Sequence, residues 1–195
     1  MTEPDQTPDT APEAAPVADD LAPLRARTIV LVGLMGVGKS SVGRRLANVL
    51  GLPFRDADNE VEAAAGRSIS EIFAELGEPA FRDGERRVIA RLLDEPPHVL
   101  ATGGGAFVSA ETRALINEKA VSVWLKADID LLARRVSRKY NRPLVRGKDP
   151  VKVLTDLAQT RYPAYAEAQV HVETGDTPHM VAVEAILTAL RQSRV

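Results

Sequence analysis

The sequence predicts an α/β fold, a parallel sheet wrapped by helices on both faces. Three observations carry that expectation. From Thr28 onward, short apolar runs alternate with amphipathic stretches. The first run, TIVLVG, is continuous and rich in β-branched residues, the pattern of a strand buried on both faces. The chain of 195 residues is 45% apolar, enough for one full core, with aromatics at only 4%.

TIVLVG (28–33) is the first predicted strand. A helix follows over about 39–50, with Val42, Leu46, Val49 and Leu50 as its apolar face and Gly51 as its stop. PFRDAD (53–58) reads as the second strand. Helices follow over about 59–65, 69–76 and 79–93, the second opened by a capping box from Ser68 to Glu71. HVLATGGG (98–105) is a strand running into glycines, and 110–118 is helical. AVSVWLKA (120–127) is a strand and 128–138 a helix. YNRPLVRGKDP (140–150) is a polar, basic loop. A helix over 151–166, a strand over 169–174 and a helix over 178–191 complete the series. Pro163 should bend or end the helix that carries it.

Residues 1–24 hold five prolines and six acids (Glu3, Asp5, Asp9, Glu13, Asp19, Asp20) with no Lys or Arg. Such a stretch buries too little surface to offset its ordering entropy. The predicted organisation is an acidic, disordered, Pro-rich tail over 1–25 and one domain over 26–195. Removing the six tail acids from 27 leaves 21 against 25 bases, a mildly basic body that suits an anionic ligand. There is no cysteine, which excludes disulfides and thiol catalysis. The N-terminus lacks a basic start with an apolar core, and no run approaches the ~18 apolar residues of a membrane span. A cytoplasmic protein without membrane or nucleic-acid partners is expected.

GLMGVGKSS (33–41) places Gly33, Gly38, Lys39 and Ser40 in the pattern G-x-x-x-x-G-K-[ST], between a predicted strand and a predicted helix. The glycines let backbone N–H groups wrap phosphate oxygens, and the helix N-terminus adds positive potential. Lys39 should reach the β- and γ-phosphates, and the Ser40 hydroxyl should ligate Mg²⁺. The pattern is specific for phosphate and silent about the acceptor.

Four further features lie on loops after strands, where ligands of open α/β sheets bind. Asp56 and Asp58 end the second strand, where residues i and i+2 point the same way; a turn or a helix cap is the alternative. Arg82 and Glu85 are i, i+3 on a helix, either a surface ion pair or an acid steering Arg82 toward an anion. Thr102-Gly103-Gly104-Gly105 suggests close approach of backbone to a ligand, against a merely flexible loop. Arg142-Pro143-Leu144 and Arg161-Tyr162-Pro163-Ala164-Tyr165 fit a lid carrying an electrophilic Arg and a further Arg near a proline, against solvated charge.

These motifs in this order, P-loop, D-x-D, F-R-x-x-E, T-G-G-G, R-P-L and R-x-P-x-Y, resemble the shikimate kinase family over about residues 26–191. The resemblance implies a three-layer P-loop NTPase fold, with a five-stranded parallel sheet of order 2-3-1-4-5 and a lid over about 139–150. It implies ATP and Mg²⁺ as cofactors, shikimate as partner and a monomer. The implied reaction moves the ATP γ-phosphoryl to the 3-hydroxyl of shikimate, on the way to chorismate and aromatic amino acids. By the same resemblance, Gly36, Val37, Gly38, Lys39, Ser40 and Ser41 form the ATP phosphate loop. Ser40 and, through water, Asp56 hold the metal. Lys39, Asp58 and Arg142 are catalytic, Asp58 as carboxylate on the substrate hydroxyls and Arg142 as lid arginine on the phosphates. Asp58, Arg82, Gly104 and Arg161 bind substrate, the two arginines on its carboxylate, and Arg135 lies against adenine. Two departures stand out: Ser41 where the family usually has Thr, and Asp176 in GDTP (175–178), where the family often has a basic residue. A second kinase reading is gluconate kinase. A reading of another class is a nucleotide switch without transfer activity, although no N-K-x-D stretch is present to read guanine.

Overall fold

The computed structural model describes residues 21–138 and 149–193. Five strands, β1 (Ile29–Val32), β2 (Phe54–Asp56), β3 (Val99–Ala101), β4 (Val121–Lys126) and β5 (Val170–Glu173), form one sheet of order β2-β3-β1-β4-β5. Every pairing is parallel, with Val30 opposite Leu100 on one side and Ser122 on the other. This is the order the resemblance implied.

Burial follows position in the sheet. All residues of β1 and β3 are buried, as are the first five of β4. The edge strand β5 alternates buried and exposed residues, because only one of its faces is fully covered. Right-handed crossovers dictate the layers. The β1-to-β2 connection, α1 (Lys39–Leu50), runs one way across the sheet. The β3-to-β4 connection, α4 (Ala110–Lys119), runs the other way and so covers the opposite face. α7 (His179–Gln192) packs beside α1. The direction of travel therefore reverses between β1 and β3, and the carboxyl ends of these neighbours open the crevice where ligands bind in such sheets.

Between the strands run α2 (Ala57–Ala65), α3 (Ile69–Leu93), α5 (Ile129–Ser137) and α6 (Pro150–Tyr165). The Ser68 capping box is present: Ser68 Oγ accepts from Glu71 N–H while the Glu71 carboxylate accepts from Ser68 N–H. α3 is two helices joined at Gly77 (φ 80°, ψ 172°), which lies in the gap between the predicted segments 69–76 and 79–93.

One expectation needs correction. β2 stops at Asp56 and α2 starts at Ala57, so Asp56 and Asp58 are not i, i+2 neighbours on a strand. Asp56, and not Asp58, caps the helix, its carboxylate accepting from Asp58 N–H at 3.2 Å. α6 runs through Pro163 and ends at Tyr165, two residues later, close to the predicted 151–166; Pro163 removes one ladder bond there.

Gly51 ends α1 in the left-handed region (φ 66°), and a Cβ built on it meets nothing within 4 Å. Gly51→Ala therefore tests backbone strain alone. It should cost about 1–2 kcal/mol and lower Tm by about 2–8 °C in a chain of this size. An unchanged melting curve would contradict the left-handed cap.

Candidate active site

The phosphate loop is shaped by three glycines with positive φ: Gly33 (140°), Gly36 (84°) and Gly38 (99°). A Cβ on Gly33 would overlap the Leu125 carbonyl of β4, and one on Gly36 would lie 2.9 Å from Val136 of α5. Glycine is needed at both positions so that the loop can sit tightly against its neighbours. Val37 is buried and anchors the loop to the core. Gly38 caps α1 without a side-chain partner for the first helical N–H groups, which leaves them directed at the crevice. The Lys39 ammonium donates to Gly33 O (2.8 Å) and Leu34 O (3.1 Å), so it lies back along the loop it serves. Ser40 Oγ donates to Asp56 Oδ2 at 2.7 Å. One hydroxyl and one carboxylate, 16 residues apart, thus share a point at the start of α1. Ser41 follows in the first turn of α1. Among the described residues there is no group of three or more His, Cys, Asp or Glu side chains that could hold a metal.

The glycine loop after β3 forms the other wall. A Cβ on Gly103 would lie 2.8 Å from both Asp58 Oδ1 and Glu85 Oε1. One on Gly104 would lie 2.8 Å from Arg161 Nη1 and 3.6 Å from Gly33 O, and one on Gly105 would lie 2.5 Å from Arg82 Nη1. Successive residues of one loop therefore touch an acid pair, one arginine and the other arginine, with the phosphate loop alongside. Any side chain on this loop would push a functional group away, which is why the backbone is bare here.

Glu85 sets the direction of Arg82. Its carboxylate is 2% exposed and accepts from Arg82 Nη1 at 2.7 Å. Glu78 adds a longer contact at 3.2 Å. Burial pushes the Glu85 carboxyl up. Arg82 opposes the shift, Asp58 adds to it and Arg161 counters it. Residues 58, 82 and 161 thus all act electrostatically on the buried Glu85, and the Arg82–Glu85 pair is more than a solvated surface bridge. The second Glu85 oxygen, Oε1, has no hydrogen-bond partner among the described residues and faces the space over Gly103.

Other predicted residues fall elsewhere. Arg135, at the end of α5, donates to Gly175 O at 2.7 Å and stands 3.8 Å from Asp176, so it meets the GDTP loop before α7. His179, the first residue of α7, was not singled out by the sequence. Its imidazole is pulled toward the neutral form by partial burial, then by Arg45 and Arg135. Arg142 and the central lid segment, 139–148, lie outside the described residues. The sequence reading also gave no role to Tyr165, whose hydroxyl donates to Gly104 O. The available signal was spacing, since Arg161 and Tyr165 are i, i+4 on one helix face.

A family model described as shikimate kinase matches residues 35–191. The chain is 92% identical, over 198 aligned positions covering 99% of each protein, to a shikimate kinase of Caulobacter vibrioides (strain NA1000 / CB15N). It is 58% identical to a shikimate kinase of Bradyrhizobium diazoefficiens, over 89% of this chain and 84% of that one. A solved shikimate kinase from Acinetobacter baumannii, in complex with shikimate, superposes with a TM-score of 0.83 at 36% identity, over 90% of this chain and 99% of that one. With the sheet order, the phosphate loop and the glycine loop all matching the motifs that first raised the resemblance, the chain belongs to the shikimate kinase family.

Proposed function

We propose that this chain transfers the γ-phosphoryl group of ATP to the 3-hydroxyl of shikimate, giving shikimate 3-phosphate and ADP on the route to chorismate. One observation carries the reading: Asp58, Arg161 and Arg82 contact successive glycines of a single loop whose middle residue abuts the phosphate loop. Two guanidinium groups beside one carboxylate suit a small ring acid with a carboxylate at one end and hydroxyls at the other. Arg82 and Arg161 bind the carboxylate through paired N–H donors, and Gly104 offers a backbone N–H beside them. Asp58 accepts from the hydroxyls. Gripping both ends fixes the 3-hydroxyl in line with the terminal phosphorus, and positioning of this kind is a large part of phosphoryl-transfer catalysis.

In the step itself the 3-hydroxyl oxygen forms a bond to the γ-phosphorus, and the bond from that phosphorus to the bridging oxygen of ADP breaks. The hydroxyl proton passes to Asp58. Lys39, the N-terminal N–H groups of α1 and Arg142 neutralise the charge that builds on the phosphate oxygens. Residues Gly36, Val37, Gly38, Lys39, Ser40 and Ser41 hold the phosphates, and Arg135 with the loop before α7 flanks the base. Ser40 and Asp56 fit Mg²⁺, which prefers few protein ligands and several waters. Held there, Mg²⁺ would supply positive charge to offset that of the phosphates.

The reading includes an acidic tail over 1–25, a catalytic domain over 26–195 with a lid over 139–150, and a cytoplasmic monomer that needs neither nucleic acid nor membrane. Among the described residues, no helix is long and apolar enough to cross a membrane.

A coupled ADP-release assay tests the proposal. Shikimate should trigger Mg²⁺-dependent ADP formation that vanishes with chelator, while gluconate gives background only. Faster turnover of gluconate, or nucleotide binding with no transfer to either acid, would replace this reading with one of its rivals.

A further inference from the structure

Three consecutive glycines have no side chains with which to hold their position, and glycine loses the most backbone freedom on being fixed. The glycine loop is held by its carbonyls instead. Gly103 O accepts from Ala106 N–H at 3.3 Å, and Gly105 O accepts from Val108 N–H at 3.1 Å. Both are bonds within the loop's own turn. The middle carbonyl, Gly104 O, is bound from outside by the Tyr165 hydroxyl, 61 residues further along the chain.

Tyr165 is 0% exposed, its ring packed among Trp124 (5.9 Å between centroids) and Tyr162 (6.3 Å). A hydroxyl at that depth needs a protein partner. It has the Gly104 carbonyl, and Arg161, one helical turn earlier, lies against it. Burial pushes the Tyr165 hydroxyl up to about 12, with Arg161 offsetting part of the effect, so it remains a neutral donor at any working pH.

We infer that Tyr165 is a positioning residue for the acid-binding end of the site, tying the Gly104 peptide to the helix that carries Arg161. The inference rests on the reading of this site as one for shikimate. The peptide unit is planar and trans, so fixing the Gly104 carbonyl also fixes the Gly105 N–H on its opposite side. It restrains the two torsions that aim the Gly104 N–H as well. Without the hydroxyl, the hydrogen bond that joins the Arg161 helix to the Gly104 carbonyl is lost, and the spacing of the loop and Arg161 relaxes. Tyr165 touches neither reacting group, so its loss should appear in substrate affinity and leave the chemical step largely alone.

The test is Tyr165→Phe in the full chain, which keeps the ring and deletes only the donor. The loss of one neutral hydrogen bond should raise the shikimate KM about 3–10-fold, with the ATP KM within about twofold and kcat within about threefold. Trp124 is the only tryptophan of the chain and packs against Tyr165. Its fluorescence therefore gives an equilibrium shikimate Kd, which should weaken by the same factor. A lowered Tm with an unchanged shikimate KM and Kd would make Tyr165 a packing residue and overturn the inference. Hydrogen exchange in the wild-type chain supplies a readout that does not depend on the variant folding. The Ala106 and Val108 amides should exchange slowly without ligand, and fast exchange there would show a loop that nothing anchors. The wild-type control separates the two readings: no turnover of shikimate sinks the proposed function, whereas normal turnover with an indifferent Phe variant sinks only the role of Tyr165.

Discussion

Asp58→Asn is expected to lower kcat by about 10²–10⁴-fold, the usual contribution of a positioned general base, or about 2.7–5.4 kcal/mol of barrier. Asparagine keeps the shape and one acceptor oxygen, so the substrate hydroxyl can still be held, but it cannot take the proton. Nucleotide affinity should hardly move. The Asp58 carboxylate lies beside Gly103, and its bond to Asp56 is through its own backbone N–H, which the substitution preserves. Single-turnover transfer combined with equilibrium binding of an ATP analogue checks both halves. Turnover at the wild-type rate would remove Asp58 from proton transfer. A matching loss of nucleotide affinity would mean that the change had disturbed the Ser40–Asp56 point instead.

Arg161→Ala is expected to raise the shikimate KM by about 10–10²-fold, since one charge-assisted contact is worth about 1.5–3 kcal/mol. The ATP KM should stay within about twofold. Arg82→Ala should cost a similar factor in shikimate affinity, but it carries a second penalty that Arg161→Ala does not. It leaves the Glu85 carboxylate, 2% exposed, without its 2.7 Å partner. Stranding a buried acid costs about 1–3 kcal/mol or more; Arg82 is itself one-third exposed, so the lower part of that range is expected. The two variants thus differ in thermal melting while agreeing in substrate KM. Equal melting temperatures would mean that Glu85 does not depend on Arg82, and an unchanged shikimate KM in Arg161→Ala would dismantle the clamp.

How much of this was legible in the chain varies from residue to residue. β1 was plain because IVLV is buried on both faces and no polar residue interrupts it. The Gly51 stop and the Ser68–Glu71 capping box were plain because helix ends are decided within four residues of chain. The Asp56–Asp58 pair was misread in its geometry, because a strand of three residues gives too little pattern to locate its last position. Asp56 became the helix cap, which turned its other oxygen toward Ser40. The choice between surface bridge and steering pair for Arg82 and Glu85 stayed open at i, i+3 spacing. The burial of Glu85 takes the pair out of the solvated-bridge class, and its surroundings come from α2, the loop after β3 and α6.

The sequence by itself determined the phosphate loop, the alternation that makes a parallel sheet, and, through ordered motifs, the family. Each of these rests on neighbours within a few residues or on the period of one element, which local sterics and burial dictate. Only the tertiary structure decided that Gly103, Gly104 and Gly105 would meet Asp58 with Glu85, Arg161 and Arg82, and that Tyr165 would reach the Gly104 carbonyl. Those partners are brought together by strand order and by the side of the sheet on which each crossover passes. That arrangement is a property of the whole packed core, and no short window of residues encodes it.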